Sequence, residues 1–299
     1  MIQEAPPTEA AHAVADTLKA AGEHGEKFAF SHLLEHIKDS HEVEVPGGHI
    51  ELPHFQPVTI AGVQLDLSPT KHVFFLLFAG ILLCLLAVYV ARRYKKSLVP
   101  SGVANAFEAV VLFIRDEVAV PNMGPGGLKY LPYLLTTFFF ILIMNLIGLV
   151  PFGATATGNI AVTGGLAVIA FVMIQVAAIR AQGLGHYLAH LTGGAPWFLW
   201  PIMIPIEILG LFTKPFALTI RLFANMTGGH IVILSLLGLT FLFRSYAVGV
   251  GSVVFSVGIS MLELMVAFIQ AYVFTMLTSL FMGLGMQVEH PPEAHPEHH

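Results

Sequence analysis

Four polar residues, Glu207, Lys214, Arg221 and Asn225, recur at spacings of seven, seven and four along an otherwise apolar stretch of a 299-residue chain. At about 100° per residue, helical winding puts Lys214 about 20°, Arg221 about 40° and Asn225 about 0° from Glu207, so the four share a sector roughly 40° wide. A second apolar stretch repeats the arrangement around Glu263: Ser252 and Gln270 fall about 20° to one side of it and Ser256 about 20° to the other. Ionisable groups at the centre of a bilayer cost about 2.5–3.5 kcal/mol each on insertion scales and by default mark an ion or substrate path. The chemistry these stripes offer is movement of charge. A guanidinium keeps its proton at physiological pH, so Arg221 can hold an anion or bar a cation but cannot hand a proton on. An imidazole can exchange a proton near neutrality, and His230, about 140° away from the first stripe, can share one with Glu263.

Plainer readings compete for the same residues. Lys214 and Glu207 fit a structural ion pair, or Lys214 a side chain reaching for the interface, as well as they fit a path. His230 and Glu263 could form a purely structural hydrogen bond. Neither alternative accounts for Arg221 as easily. Gly228 and Gly229, next to His230, would let another helix approach closely. His186 and His190 have the i,i+4 spacing of metal ligands, but Tyr187 stands where a zinc hydrolase needs Glu, so they read as interface histidines. No serine-hydrolase elbow and no phosphate-cradling loop occurs, which argues against hydrolase chemistry and nucleotide binding. Nothing in the pattern calls for a cofactor or a metal.

The elements that must carry these residues follow from composition. Residues of the AVILMFWYC set make up 56% of the chain and charged residues only 11%, unlike a soluble globule. Between Leu131 and Val288 only Arg180, Glu207, Lys214, Arg221, Arg244 and Glu263 are charged, which means membrane. The net charge of −5 comes mainly from residues 1–71, so no basic footprint invites nucleic acid. The lone Cys84, in an apolar run, excludes a disulfide framework and reads as lipid-facing or core filler. No signal peptide is expected within residues 1–26.

Residues 1–71 read as a polar extracytoplasmic segment, with a helical candidate at Phe28–Ser40 and a strand-like stretch at Val58–Leu67. Spans are expected at about 72–91, 131–150 and 160–179, with an interfacial amphipathic helix at about 102–120 and a turn at Gly124–Gly127. Arg92, Arg93, Lys95 and Lys96 directly after the first span put its end in the cytoplasm and the amino terminus outside. The stretches 201–238 and 250–287 are 38 residues each, about 57 Å if helical and nearly twice the ~30 Å of hydrocarbon. Each must fold in two or cross strongly tilted around a partner surface. The fold expected is an all-α integral membrane protein with about five crossing helices, the last two long and tilted. A histidine-rich tail at 289–299 ends in the cytoplasm.

The run Thr213–His230, TKPFALTIRLFANMTGGH, closely resembles the signature of subunit a of F-type ATP synthases. The likeness extends to MNLIGLVP at Met144–Pro151, to Asn159, to PIEILGLFTKP at Pro205–Pro215 and to LELMVAFIQAYVFTMLTSL at Leu262–Leu280, and covers roughly residues 72–287. The resemblance implies that Arg221 is the family's essential arginine, Asn225 its neighbour and Gln270 the glutamine facing it. Many bacterial members hold Glu and His at the positions of His230 and Glu263; here the two are exchanged, as in mitochondrial relatives, which points to the pair as the functional unit. It further implies a bacterial plasma-membrane location and, as partners, a ring of c subunits, peripheral-stalk b subunits and membrane lipid. In that frame protons enter a half-channel including His230, Glu263, Asn159 and Gln270, ride the ring, and leave by a second half-channel at Glu207. Lys214 and Ser256 are further candidates. Physics of the residues alone would favour a secondary transporter as rival, but its paired repeats are missing. An intramembrane protease would need a nucleophile or metal triad, and a mere scaffold would not need Arg221.

Overall fold

The computed structural model describes residues 42–45, 48–51, 58–60, 63–65, 70–96, 102–150, 156–190, 197–243 and 246–286. The helical candidate Phe28–Ser40 and the tail 289–299 lie outside these residues. The strand-like stretch at Val58–Leu67 is two short strands, Val58–Ile60 and Val63–Leu65, paired antiparallel on either side of the Ala61-Gly62 dipeptide. A second antiparallel pair, Glu42–Val45 with Gly48–Glu51, sets Val43 opposite Ile50.

Everything else described is helical. In chain order the helices are α1 (Lys71–Lys96), α2 (Val103–Phe113), α3 (Leu131–Gly148), α4 (Ile160–Gln182), α5 (Leu184–His190), α6 (Trp200–Phe243) and α7 (Tyr246–Met286). Five of them, α1, α3 with its leading turn, α4, α6 and α7, are long and apolar enough to cross a membrane. Of the two options open for the long stretches, the chain takes the unbroken one. α6 runs 44 residues through Pro205 and Pro215, and α7 runs 41. Thr213 and Thr219, flanking Pro215, donate their hydroxyls to the carbonyls of Leu209 and Pro215 at 2.7 and 2.9 Å.

The chain divides into two compact units. The larger takes in residues 41–226 and 263–299. Its core is α3, whose Leu134, Ile141, Met144 and Asn145 are sealed from solvent and against which α1 packs. The outer face of α1 presents Leu77, Ile81 and Leu85, about 60% exposed each, together with Cys84, as a helix side suited to lipid. α2 was expected as one helix over 102–120. Instead α-winding ends at Phe113 and continues as a π segment, Ile114–Ala119, then one α-turn, Val120–Met123. This half-covered element is held by packing: Phe107 stacks on Phe139 at 4.3 Å between ring centres, and Phe113 lies 5.7 Å from Tyr272. Near the end of the π segment the Val118 carbonyl accepts from Asn122 Nδ2 at 2.8 Å and from Ser279 Oγ of α7 at 3.1 Å. Gly283 makes that approach possible, because a Cβ there would sit 1.9 Å from the Asn122 carbonyl oxygen. Gly124, with φ 66°, starts the turn before the 3₁₀ segment Pro125–Tyr130.

The smaller described unit, Thr227–Leu262, is an antiparallel helical hairpin made from the end of α6 and the start of α7. Ser252 donates its hydroxyl to the Leu236 carbonyl across the pair. Gly249 lies against Thr240, where a Cβ would meet the threonine methyl at 3.2 Å.

Candidate functional site

Within the larger unit α6 buries one edge and bares another. Leu218, Leu222 and Met226, spaced by one helical turn, are at most 3% exposed and form the seam. Next to that seam Arg221 and Asn225 are exposed, in the company of bare apolar side chains: Phe212, Phe216 and Ile220 are 62%, 66% and 38% exposed. Arg221 makes no hydrogen bond and no ion pair among the described residues. Asn225, one turn on, reaches across to α7 and donates from Nδ2 to Gln270 Oε1 at 2.8 Å. Gln270 is itself 2% exposed, and its own amide nitrogen finds no acceptor among the described residues. Glu263, two turns earlier on the same side of α7, is 5% exposed. The second polar stripe therefore faces inward, while the first sits on the rim between seam and open surface.

Lys214 is half-buried, with Nζ 4.8 Å above the Phe281 ring of α7. A cation over an aromatic face is worth about 0.5–2 kcal/mol depending on desolvation, so this lysine helps seat α6 on α7. No ion pair joins it to Glu207. Glu207 is half-buried near the start of α6, and its charge is felt by Tyr187 of α5: burial first, and then Glu207, push that phenol above its usual range. The Tyr187 hydroxyl donates to Gln175 Oε1 of α4.

Asn159 caps the helix it precedes. Its side-chain oxygen accepts from the Ala161 amide at 2.8 Å with φ −100° and ψ 122°, the geometry of a helix N-cap opening α4. Polar residue before an apolar run is the signal that identifies this role in sequence. Deeper in the same region, Thr157 Oγ1 donates to Asn145 Oδ1 at 2.9 Å, both residues 0% exposed. Neither Asn145 nor Thr157 stands out by spacing, since each is a single polar residue without a stripe.

In the helical hairpin His230 is half-buried and Ser256 keeps its hydroxyl away from solvent, with no acceptor among the described residues. A Cβ at Gly228 would meet nothing within 4 Å among the described residues, so no helix closes on that glycine here. His186 is exposed on α5. The two units are each compact in themselves, and His230 belongs to one while Glu263 belongs to the other.

Comparison with known proteins gives one consistent result. A family profile described as ATP synthase A chain matches residues 73–283. ATP synthase subunit a of Chlorobium phaeobacteroides strain BS1 is 54% identical over 271 residues, covering 89% of this chain and 79% of that one. The subunit a of Pelodictyon phaeoclathratiforme is 54% identical over 289 residues, 95% of this chain and 83% of the relative. That of Myxococcus xanthus is 57% identical over 238 residues, 79% and 78%.

Proposed function

The chain belongs to the ATP synthase A chain family, and on that premise we propose that it is the proton-conducting stator subunit of a rotary ATP synthase. It holds no nucleotide and makes no phosphoryl bond; it feeds protons to a ring of c subunits and takes them back. Each ring subunit carries a carboxylate at mid-membrane that is neutral while it faces lipid. Opposite Arg221 the carboxylate ionises, because a fixed positive charge in low dielectric offsets the desolvation of the anion and lowers its pKa. The same charge bars a proton from crossing directly between the entry and exit paths.

One observation carries this reading. Arg221 is exposed on an apolar helix face and has no anionic partner among the described residues of its own chain. Leaving an unpaired guanidinium at membrane depth costs several kcal/mol, so the face must be covered by something that brings a negative charge. A passing carboxylate on a neighbouring helix supplies it. Asn225 and Gln270, bonded to each other, form the polar floor beside that contact.

Protons reach the ring through a first half-channel that uses His230 and Glu263 as exchanging carriers with Ser256 alongside, and leave by a second at Glu207. Asn159 lies on the first path as well, and it also fixes the start of α4. Lys214 sits between the paths as an anchor on Phe281. A membrane potential supplies about 2.3 kcal/mol per charge per 100 mV, and it turns the ring only if no continuous wire joins the two paths. The long α6 and α7 cross the bilayer at a steep tilt along the ring, with peripheral-stalk b subunits holding the chain against the torque. The protein lies in the bacterial plasma membrane with its amino terminus outside and its carboxyl terminus in the cytoplasm. The test is Arg221→Ala in the assembled complex: ATP-driven proton pumping is lost while the complex still forms, and pumping at the normal rate overturns the role.

A further inference from the structure

At one end of the larger unit three elements converge on a polar cluster of which the stripes contain only Glu207. Gly183, with φ 81°, ends α4 in a backbone conformation that L side chains rarely adopt, and so lets the chain turn into α5. Its amide donates to the Ile179 carbonyl at 2.8 Å and its carbonyl accepts from the Tyr187 amide at 3.0 Å, which fixes the angle between the two helices. The turn folds Tyr187 back over the last part of α4, where its hydroxyl meets Gln175. α4 and α6 run antiparallel, with a Cβ at Gly164 reaching the Thr219 methyl at 3.9 Å and the Phe171 and Phe212 rings 5.8 Å apart, so one turn further along Gln175 comes level with Glu207 and Ile208. The Glu207 charge acts on the phenol from there. Gln175, Tyr187 and Glu207 are all half-buried, and Glu207 makes no hydrogen bond or ion pair among the described residues.

We propose that Tyr187 and Gln175 are positioning residues of the exit half-channel, their mutual hydrogen bond holding a neutral polar wall beside the Glu207 carboxylate. This rests on the assignment of Glu207 to that exit. The chemistry follows from the donor inventory. With its one proton committed to Gln175, the Tyr187 oxygen is left with lone pairs only, so toward a third group it acts as an acceptor. The Gln175 amide nitrogen keeps two donors. A water beside Glu207 can thus donate to the phenol oxygen and accept from the amide. In that orientation its remaining lone pair can receive a proton from the carboxylic acid. A proton arriving from the ring turns the Glu207 carboxylate into the neutral acid; the acid passes it to the water, which leaves as hydronium, and the carboxylate is restored. Tyr187 and Gln175 change neither charge nor protonation in the cycle. A phenol held neutral serves this better than a second charge, which would trap the departing cation or repel it.

The experiment is ATP-driven proton pumping in membrane vesicles carrying the whole complex, with rates divided by the amount of assembled complex. Tyr187→Phe keeps the ring and removes the hydroxyl, and Gln175→Leu removes the acceptor and donors; each should slow pumping about three- to tenfold, as should Glu207→Gln. If the wall acts through Glu207, the Tyr187→Phe, Glu207→Gln double variant is no slower than Glu207→Gln alone, and Gln175→Asn, which keeps a neutral amide with both its acceptor and its donors, recovers part of what Gln175→Leu loses. A role confined to clipping α5 onto α4 would give multiplicative losses. Slowing by Glu207→Gln with Tyr187→Phe at the full rate, or with strictly multiplicative losses, overturns this inference and leaves the exit at Glu207 standing. A full rate for Glu207→Gln removes the exit assignment and this inference with it.

Discussion

The α1–α3 side and the α6–α7 side of the larger unit treat polar groups in opposite ways. Around α3, Asn145 and Thr157 are 0% exposed and bonded to each other, and they sit among side chains that are themselves sealed. Along α6, Arg221 and Asn225 stand at the rim of an exposed apolar face. Thr157 supplies the Asn145 oxygen with a donor inside that sealed core, while Asn145 Nδ2 finds no acceptor among the described residues. A charge left bare on a greasy surface demands a visitor. The first side packs its polar groups inside the chain, and the second leaves them on an exposed apolar face, as the proposed contact with a ring would need.

The contrast can be broken most sharply by two variants with opposite expected outcomes. Arg221→Ala should remove pumping by at least about a hundredfold, the scale of losing one fixed charge-stabilising group, with normal amounts of assembled complex. Gly283→Ala should do the reverse. It drives a Cβ to within 1.9 Å of a backbone oxygen that cannot step aside, so the folded chain is lost or destabilised by about 3 kcal/mol or more, read by thermal unfolding of the purified subunit complex. Thr157→Val is milder: leaving the Asn145 oxygen without its donor should cost about 1–3 kcal/mol by the same unfolding measurement, with pumping per folded complex unchanged. Smallest of all, Leu85→Ala on the outer face of α1, where the leucine is 62% exposed, should stay within about 0.5 kcal/mol. A large loss at Leu85 would mean that α1 is covered by a partner, and the first side would then resemble the second.

How much of this was readable in advance depends on periodicity. Glu207, Lys214, Arg221, Asn225, Glu263 and Gln270 repeat at helical spacing against an apolar background, and that repetition alone identified two polar stripes and the two long helices that bear them. The hydrogen bond that joins Asn225 to Gln270, at 2.8 Å, is a contact that spacing alone did not give; the resemblance had set Gln270 opposite Arg221. Where no repeat exists, little could be read. Tyr187 and Gln175 lie twelve residues apart, on different helices, and meet only because Gly183 reverses the chain between them. The π segment at Ile114–Ala119 was invisible because its residues fit an ordinary amphipathic helix as well. Its extra width is compensated by contacts from α7, at Ser279 and Gly283, more than 160 residues away. Asn159 carried a legible capping signal, which the structure uses, beside the place on a path that the resemblance gave it.

By itself, then, the order of residues determined the solvent this chain must live in, the number of its crossings and which side chains share a helix face. Those properties are local: burial of apolar residues in hydrocarbon and the 3.6-residue turn act on each stretch without reference to any other. Which edge of α6 is sealed and which is bare, whether Lys214 meets a carboxylate or an aromatic ring, and what stands beside Glu207 were decided only when the helices packed. Those outcomes depend on close approach between segments distant in sequence, where a missing Cβ or a single hydroxyl selects one packing among several that the hydrophobic pattern would allow equally.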